Sequence, residues 1–192
     1  MRILTSALVF ILATSAAAPL AAQEAPPCEQ AAFAHLRPLA GSWTVQARTR
    51  LSRDAKDWEE GAAQSRIEPL MRDCVLLERY EGTRRGRPFE ALRLFAAKAE
   101  APRVQVAVSD SEHGPLYLYE GNAAAGEATF YTTVTTPAGP VRLRLRYSEI
   151  RPDSFVVESQ RSVDEGETWD TTGRAKYRRR PTEAQQPAAP RN

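Results

Sequence analysis

Three observations in the 192-residue sequence predict an all-β protein, an antiparallel up-and-down β-barrel of about ten strands with a short N-terminal helix. Beyond residue 40 the apolar residues recur with period two, not 3.6. Turn-forming clusters separate these runs and leave no room for crossover helices. Most runs have one dry and one wet face, as antiparallel strands do. Such a meander must hide its edges, and neighbour-to-neighbour hairpins favour closure into a barrel over stacking into a sandwich.

The chain begins with Arg2, an apolar run over 3–13 and small residues through Ala22. That order is the n-region, h-region and cleavage zone of a secretory signal peptide over 1–22, and the run is too short to span a bilayer. Cleavage is expected near Ala22 or Gln23, which delivers a soluble protein to the bacterial periplasm. Two cysteines, Cys28 and Cys74, then arrive in an oxidising compartment, where they are expected to pair. The bridge closes a loop of about 46 residues, worth on the order of 3–4 kcal/mol in the chain-entropy account.

The barrel domain is expected over 28–180. Phe33, Leu36 and Leu39 have helical spacing within 28–40, and Pro38 breaks the last turn. Trp43, Val45, Ala47, Thr49 and Leu51 then alternate with polar residues to give the first strand. Further strands are expected near 62–69, 74–81, 88–96, 103–110, 116–121, 127–135, 154–162 and 169–178. The clearest run sets Val141, Leu143, Leu145 and Tyr147 against Arg142, Arg144, Arg146 and Ser148. Arg85-Gly86, Gly114-Pro115, Gly126, Gly139-Pro140, Pro152-Asp153 and Glu165-Gly166 supply turn chemistry between strands. Residues 181–192, rich in Pro, Ala and Gln, have nothing to bury and read as a disordered tail.

Charge excludes more than it suggests. The 26 basic and 24 acidic residues are spread along the chain, so nothing argues for a nucleic-acid partner. There is no two-His metal spacing, no Gly-rich phosphate loop and no Cys-x-x-Cys, so neither a metal nor a cofactor is expected. Ser162 to Trp169 matches the Asp-box pattern Ser-x-Asp-x-Gly-x-Thr-Trp, which reads as a hairpin turn with Trp169 anchored in the core. Glu59-Glu60 falls in a charge-rich loop and reads as solvated surface. His113, in the polar turn from Ser109 to Gly114, reads as a solvated turn residue.

Strand parity singles out Glu78. If Leu76 and Tyr80 face inward, so does Glu78. A carboxylate inside a barrel needs a partner or a ligand. Arg93 and Arg161 are candidate partners, and a ligand's polar group is the other reading. Asp110, at the end of the face formed by Val104, Val106 and Val108, poses the same question at a barrel mouth.

Cys28, Leu39-Ala40-Gly41-Ser42-Trp43-Thr44, Ile67-Glu68 and Cys74 to Gly82 resemble an uncharacterised family of lipocalin-like, or calycin, exported bacterial proteins. Arg87 to Glu90, Asp110-Ser111, Tyr119 to Gly121, the Ser162 to Trp169 turn and Tyr177-Arg178-Arg179 continue the resemblance over about 28–180. It implies a calycin-type barrel with an internal cavity and no established activity. The nitrobindin-like haem barrels share the opening Gly-x-Trp. They carry further glycines after the Trp and a histidine on a late strand, whereas here Val45 and Ala47 follow and no histidine occurs after His113.

The leading expectation is a module that binds one small apolar or amphipathic ligand in its interior. Trp43, Leu76, Tyr80 and Val106 are expected to line the cavity, with Glu78 and Asp110 as polar handles. The alternatives are a hydrolase or isomerase using one of those carboxylates as general base, and a packed envelope scaffold or partner-binding protein. An open interior distinguishes the first two from the third.

Overall fold

Each alternating run pairs with the run before it and the run after it, and the last returns to the first. The computed structural model describes residues 31–50, 57–84, 86–98 and 103–181. The expected signal segment, Cys28 and the tail from 182 onward lie outside the described residues. Among those described, the strands are β1 (Gly41–Thr49), β2 (Glu59–Leu70), β3 (Val75–Arg84), β4 (Arg87–Ala97) and β5 (Val104–Asp110). They continue as β6 (Tyr117–Ala124), β7 (Glu127–Thr136), β8 (Gly139–Ser148), β9 (Ser154–Ser162) and β10 (Asp170–Arg179). All pairs are antiparallel, and β10 closes on β1 to complete an up-and-down barrel. The fold is the one the alternation predicts.

The helical spacing before Gly41 resolves into two short pieces. A single helical turn, α1 (Ala31–Ala34), is followed by a 3-10 turn over Arg37–Leu39, with Pro38 inside it. Phe33, Leu36 and Leu39 are fully buried and join the barrel's core, and α1 lies against β4 and β6. This segment plugs the end of the barrel at which β1 begins. The turn carrying Cys74, between β2 and β3, lies at the same end.

Trp43 is the centre of the closed end. It is fully buried, and its Nε1 donates to the Leu39 carbonyl at 2.9 Å. Phe155 meets it edge-on at 4.8 Å, and Tyr177 stacks on Phe155 at 4.2 Å. At the exposed rim of this end, the guanidinium of Arg179, the register partner of Trp43 on β10, lies 4.3 Å from the Trp43 ring centre. Arg179 also donates to the carbonyls of Ala40 (3.0 Å), Pro38 (3.1 Å) and Pro152. Gly41 makes that approach possible, because its φ is 143° and a Cβ there would lie 2.0 Å from Arg179 Nη1.

Two expectations are corrected. Strand β2 starts at Glu59, not near 62, since pairing with β1 continues to Thr49 opposite Glu59. Glu59 and Glu60 are therefore strand residues at the barrel mouth, not loop surface. Trp169 does not enter the core. It lies on the outer wall, 4.0 Å from the Arg144 guanidinium and 5.9 Å from the Tyr131 ring. The Asp-box itself closes as turn chemistry requires. Asp164 accepts from Ser162 Oγ (2.6 Å), Thr168 N (3.0 Å) and the Thr168 hydroxyl, and Trp169 Nε1 donates to the Gly166 carbonyl at 2.9 Å. Hydrogen bonds from Ser162 and Thr168 hold the Asp164 carboxyl well below the usual carboxylate range.

Truncating Trp43 to Ala removes the ring that joins the plug to the barrel. We expect a loss of about 3–5 kcal/mol in urea melts; a loss below about 1 kcal/mol would show that the ring is not part of the core.

Candidate functional site

The interior divides into a packed part and an open part. Around β4 to β9, Phe95, Phe130, Tyr147 and Phe155 interlock, with ring centres 5.7–6.2 Å apart in the four contacting pairs. At the end opposite the plug, the inward positions of β1, β2 and β10 carry small residues: Ala47, Gly61, Gly173 and Ala175. Small side chains leave space, and a cup of about 140 Å3 opens there between β1–β4 and β9–β10. Tyr80, Phe89, Val157 and Tyr177 form its less polar wall, and Arg93 lies among its lining residues.

Beneath the cup is a buried polar network. Glu78 is 1% exposed. Its Oε2 accepts from Arg93 Nη1 at 2.7 Å, and its Oε1 accepts from Ser65 Oγ at 2.8 Å and Tyr177 Oη at 2.9 Å. The register explains the meeting: Glu78 on β3 faces Arg93 on β4 and Ile67 on β2, two residues from Ser65, while Tyr177 reaches across from β10. Burial works against the Arg93 charge, but Glu78 outweighs it and holds the guanidinium above its ordinary pKa. Burial, then the Glu78 charge, pushes the Tyr177 hydroxyl well up, so it stays a donor. Both Glu78 oxygens are thus satisfied, which is the condition under which a buried charge pair is tolerated.

Arg93 is less fully used. Its bonds to Glu78 and to Tyr177 Oη (3.3 Å) both leave from Nη1. Its Nε is buried with no acceptor among the described residues, as is that of Arg84 higher on the same wall. Arg84 Nη1 reaches Glu112 at 3.1 Å, and its guanidinium lies 5.3 Å from the Phe89 ring centre. Opposite, Glu59 holds a buried Oε2 without a donor among the described residues.

Of the six residues picked from sequence, Tyr80 lines the cup. Glu78 lies inside the network, and Trp43, Leu76 and Val106 belong to the packed core. Asp110 lies at the open end, in a turn of its own. It accepts from the backbone N–H of Glu112 (2.9 Å) and His113 (2.8 Å) and lies 2.9 Å from His113 Nδ1. Burial alone would raise its carboxyl, but the bonds from His113 overcome this and lower it. Of the two candidate partners for Glu78, the structure selects Arg93. The sequence does not single out Ser65, Tyr177 or the small residues of β10 as site residues, and Glu59 reads there as solvated loop surface. Parity could have found Ser65, between Ala63 and Ile67, and Tyr177, in step with Gly173 and Ala175. Among the described residues no cluster of His, Cys, Asp and Glu is arranged to hold a metal.

The architecture defines a class: a closed ten-strand antiparallel β-barrel, plugged at one end and hollowed into a polar-floored cup at the other. Residues 29–179 match DUF1579, a family described as proteins of unknown function, and the chain belongs to that family. No curated protein matches it. Among solved structures it is similar to the S-type phycobiliprotein lyase CPES from Guillardia theta. The identity is 13%, over 82% of this chain and 97% of that one, with a TM-score of 0.56. At that identity the likeness is one of fold. A redesigned β-barrel matches 82% of this chain and 100% of its own at 16% identity, with a TM-score of 0.41.

Replacing Glu78 by Gln removes the charge that balances Arg93 while keeping the shape. We expect a loss of about 3 kcal/mol or more in denaturant melts, because a buried guanidinium is left uncompensated. A loss near zero would mean that the pair does not hold the floor.

Proposed function

We propose that this protein is an exported barrel that binds one small amphipathic molecule in the cup. The observation that carries the reading is the half-used Arg93, a buried guanidinium with spare donors at the bottom of a space walled by Tyr80, Phe89 and Val157. A packed scaffold has no use for such a combination, because an unmet buried donor costs stability. The carboxylates offer less to an enzyme reading: Glu78 accepts three hydrogen bonds, and Asp110 is held in its own turn. The phycobiliprotein lyase adds an analogy of fold only.

The cup makes the reading testable without knowing the ligand. Protein purified from its own envelope should carry a retained small molecule in native mass spectrometry. Ala175→Leu, which fills the cup from β10, should lose that mass while melting near the parent temperature. A bare parent protein, or a mass retained equally by the filled variant, would overturn the reading.

Export rests on the 1–22 segment, and with it comes a Cys28–Cys74 bridge tying the N-terminal segment to the plugged end. Thiol titration of the mature, unreduced protein should find no free thiol. Two free thiols would remove the bridge.

A further inference from the structure

We infer that the cup selects an uncharged ligand head that offers an oxygen acceptor, such as the carbonyl of an amide or ketone, and excludes carboxylates. The inference rests on the reading of the cup as a ligand site and names the class of molecule it takes.

The argument begins with the unspent donors. A guanidinium has five N–H groups in a rigid fork. In Arg93 the contacts to Glu78 and Tyr177 use Nη1 alone, Nε is sealed within the wall, and Nη2 has no acceptor among the described residues. Arg93 is 15% exposed and lines the cup. An oxygen entering the cup is the partner that Nη2 lacks.

Charge then decides what kind of oxygen. Glu78 lies 2.7 Å from Arg93 and already neutralises it. Three other arginines line the cup: Arg48, Arg84 and Arg174. Arg84 has Glu112 at 3.1 Å and Arg174 has Glu158 at 3.8 Å. The carboxylates of Glu59 and Glu60 also line the cup, and Glu60 lies opposite Arg48 in the β1–β2 register. Glu158 is shared with Arg146 at 3.9 Å, so the surroundings hold five cations and five carboxylates, with no net positive charge. A carboxylate head on Arg93 would share one guanidinium with Glu78 and leave a net negative charge at a buried floor. A carbonyl takes the same hydrogen bond at no such cost.

Size and wall chemistry describe the rest of the molecule. A cavity near 150 Å3 holds one benzene ring, and the cup measures about 140 Å3. Tyr80 and Phe89 meet edge-on at 5.9 Å on its wall, with Val157 also lining it. An aromatic or short branched body fits this wall, with its carbonyl toward Arg93.

Three probes of nearly one shape separate the possibilities: benzamide, benzoate and toluene, titrated by calorimetry and ligand-observed NMR against the mature protein. Benzamide should bind about tenfold or more tightly than either of the others. Arg93→Lys, which keeps the charge beside Glu78 but loses the second arm of the guanidinium fork, should weaken benzamide by about tenfold while leaving toluene unchanged. Ala175→Leu should abolish binding of all three. Benzoate binding as well as benzamide would overturn the uncharged-head inference and leave the cup as a ligand site. Toluene matching benzamide would overturn any polar-head role for Arg93. Binding that survives Ala175→Leu would place the probes elsewhere and defeat this inference. The mass retained from the native envelope judges the broader reading separately.

Discussion

The contact between Glu78 and Arg93 is the constraint around which the interior is arranged. The two residues are register partners on β3 and β4, and their bonds draw in Ser65 from β2 and Tyr177 from β10. Four strands on the two sides of the β1 closure thus meet at one carboxylate. A slip of one residue in any of them would turn its contribution to the outer wall. A buried charge pair costs desolvation that its Coulomb attraction barely repays, so its value here lies in the complete satisfaction of Glu78 and in the register it requires. The pair also marks a boundary: aromatic rings fill the space below and beside it, and glycine and alanine leave the space above it open.

A second arginine does comparable work at the other end by a different route. Arg179 lies at the exposed rim of the closed end over Trp43 and donates to carbonyls of the plug and of the segment between β8 and β9. Ala40, Pro38 and Pro152 lie outside the strands, where their carbonyls have no ladder to join, so a guanidinium fork suits them. The Trp43 ring is held between this cation and Phe155. Gly41 and Arg179, at opposite ends of the strand sequence, belong to one contact. The plug is therefore fixed by polar clamping as well as by Phe33, Leu36 and Leu39.

The result is a barrel packed at one end and open at the other. The open end carries the Asp-box turn, the Asp110–His113 turn and the paired Arg84 and Glu112. All three are tied by local hydrogen bonds or ion pairs and do not depend on the floor. Such a separation suits binding: the mouth can vary without disturbing the pair beneath it, and the core holds that pair in place.

The amino-acid sequence by itself determined the strands, the hairpin turns, the antiparallel meander and the inward direction of Glu78. Each of these follows from neighbours a few residues apart: period-two alternation, glycine at a turn, and parity along one strand. It also offered Arg93 and Arg161 as equal partners for Glu78, because both face inward and parity is blind to height along the barrel. Only the tertiary structure chose Arg93, through the β3–β4 register, and supplied Tyr177, 99 residues away in the chain. Likewise, Glu59 read as loop until its pairing with Thr49 carried β2 to the mouth. The cup was out of reach for the same reason. A cavity is a sum over residues on strands that become neighbours only when β10 closes on β1, and no local pattern records that sum.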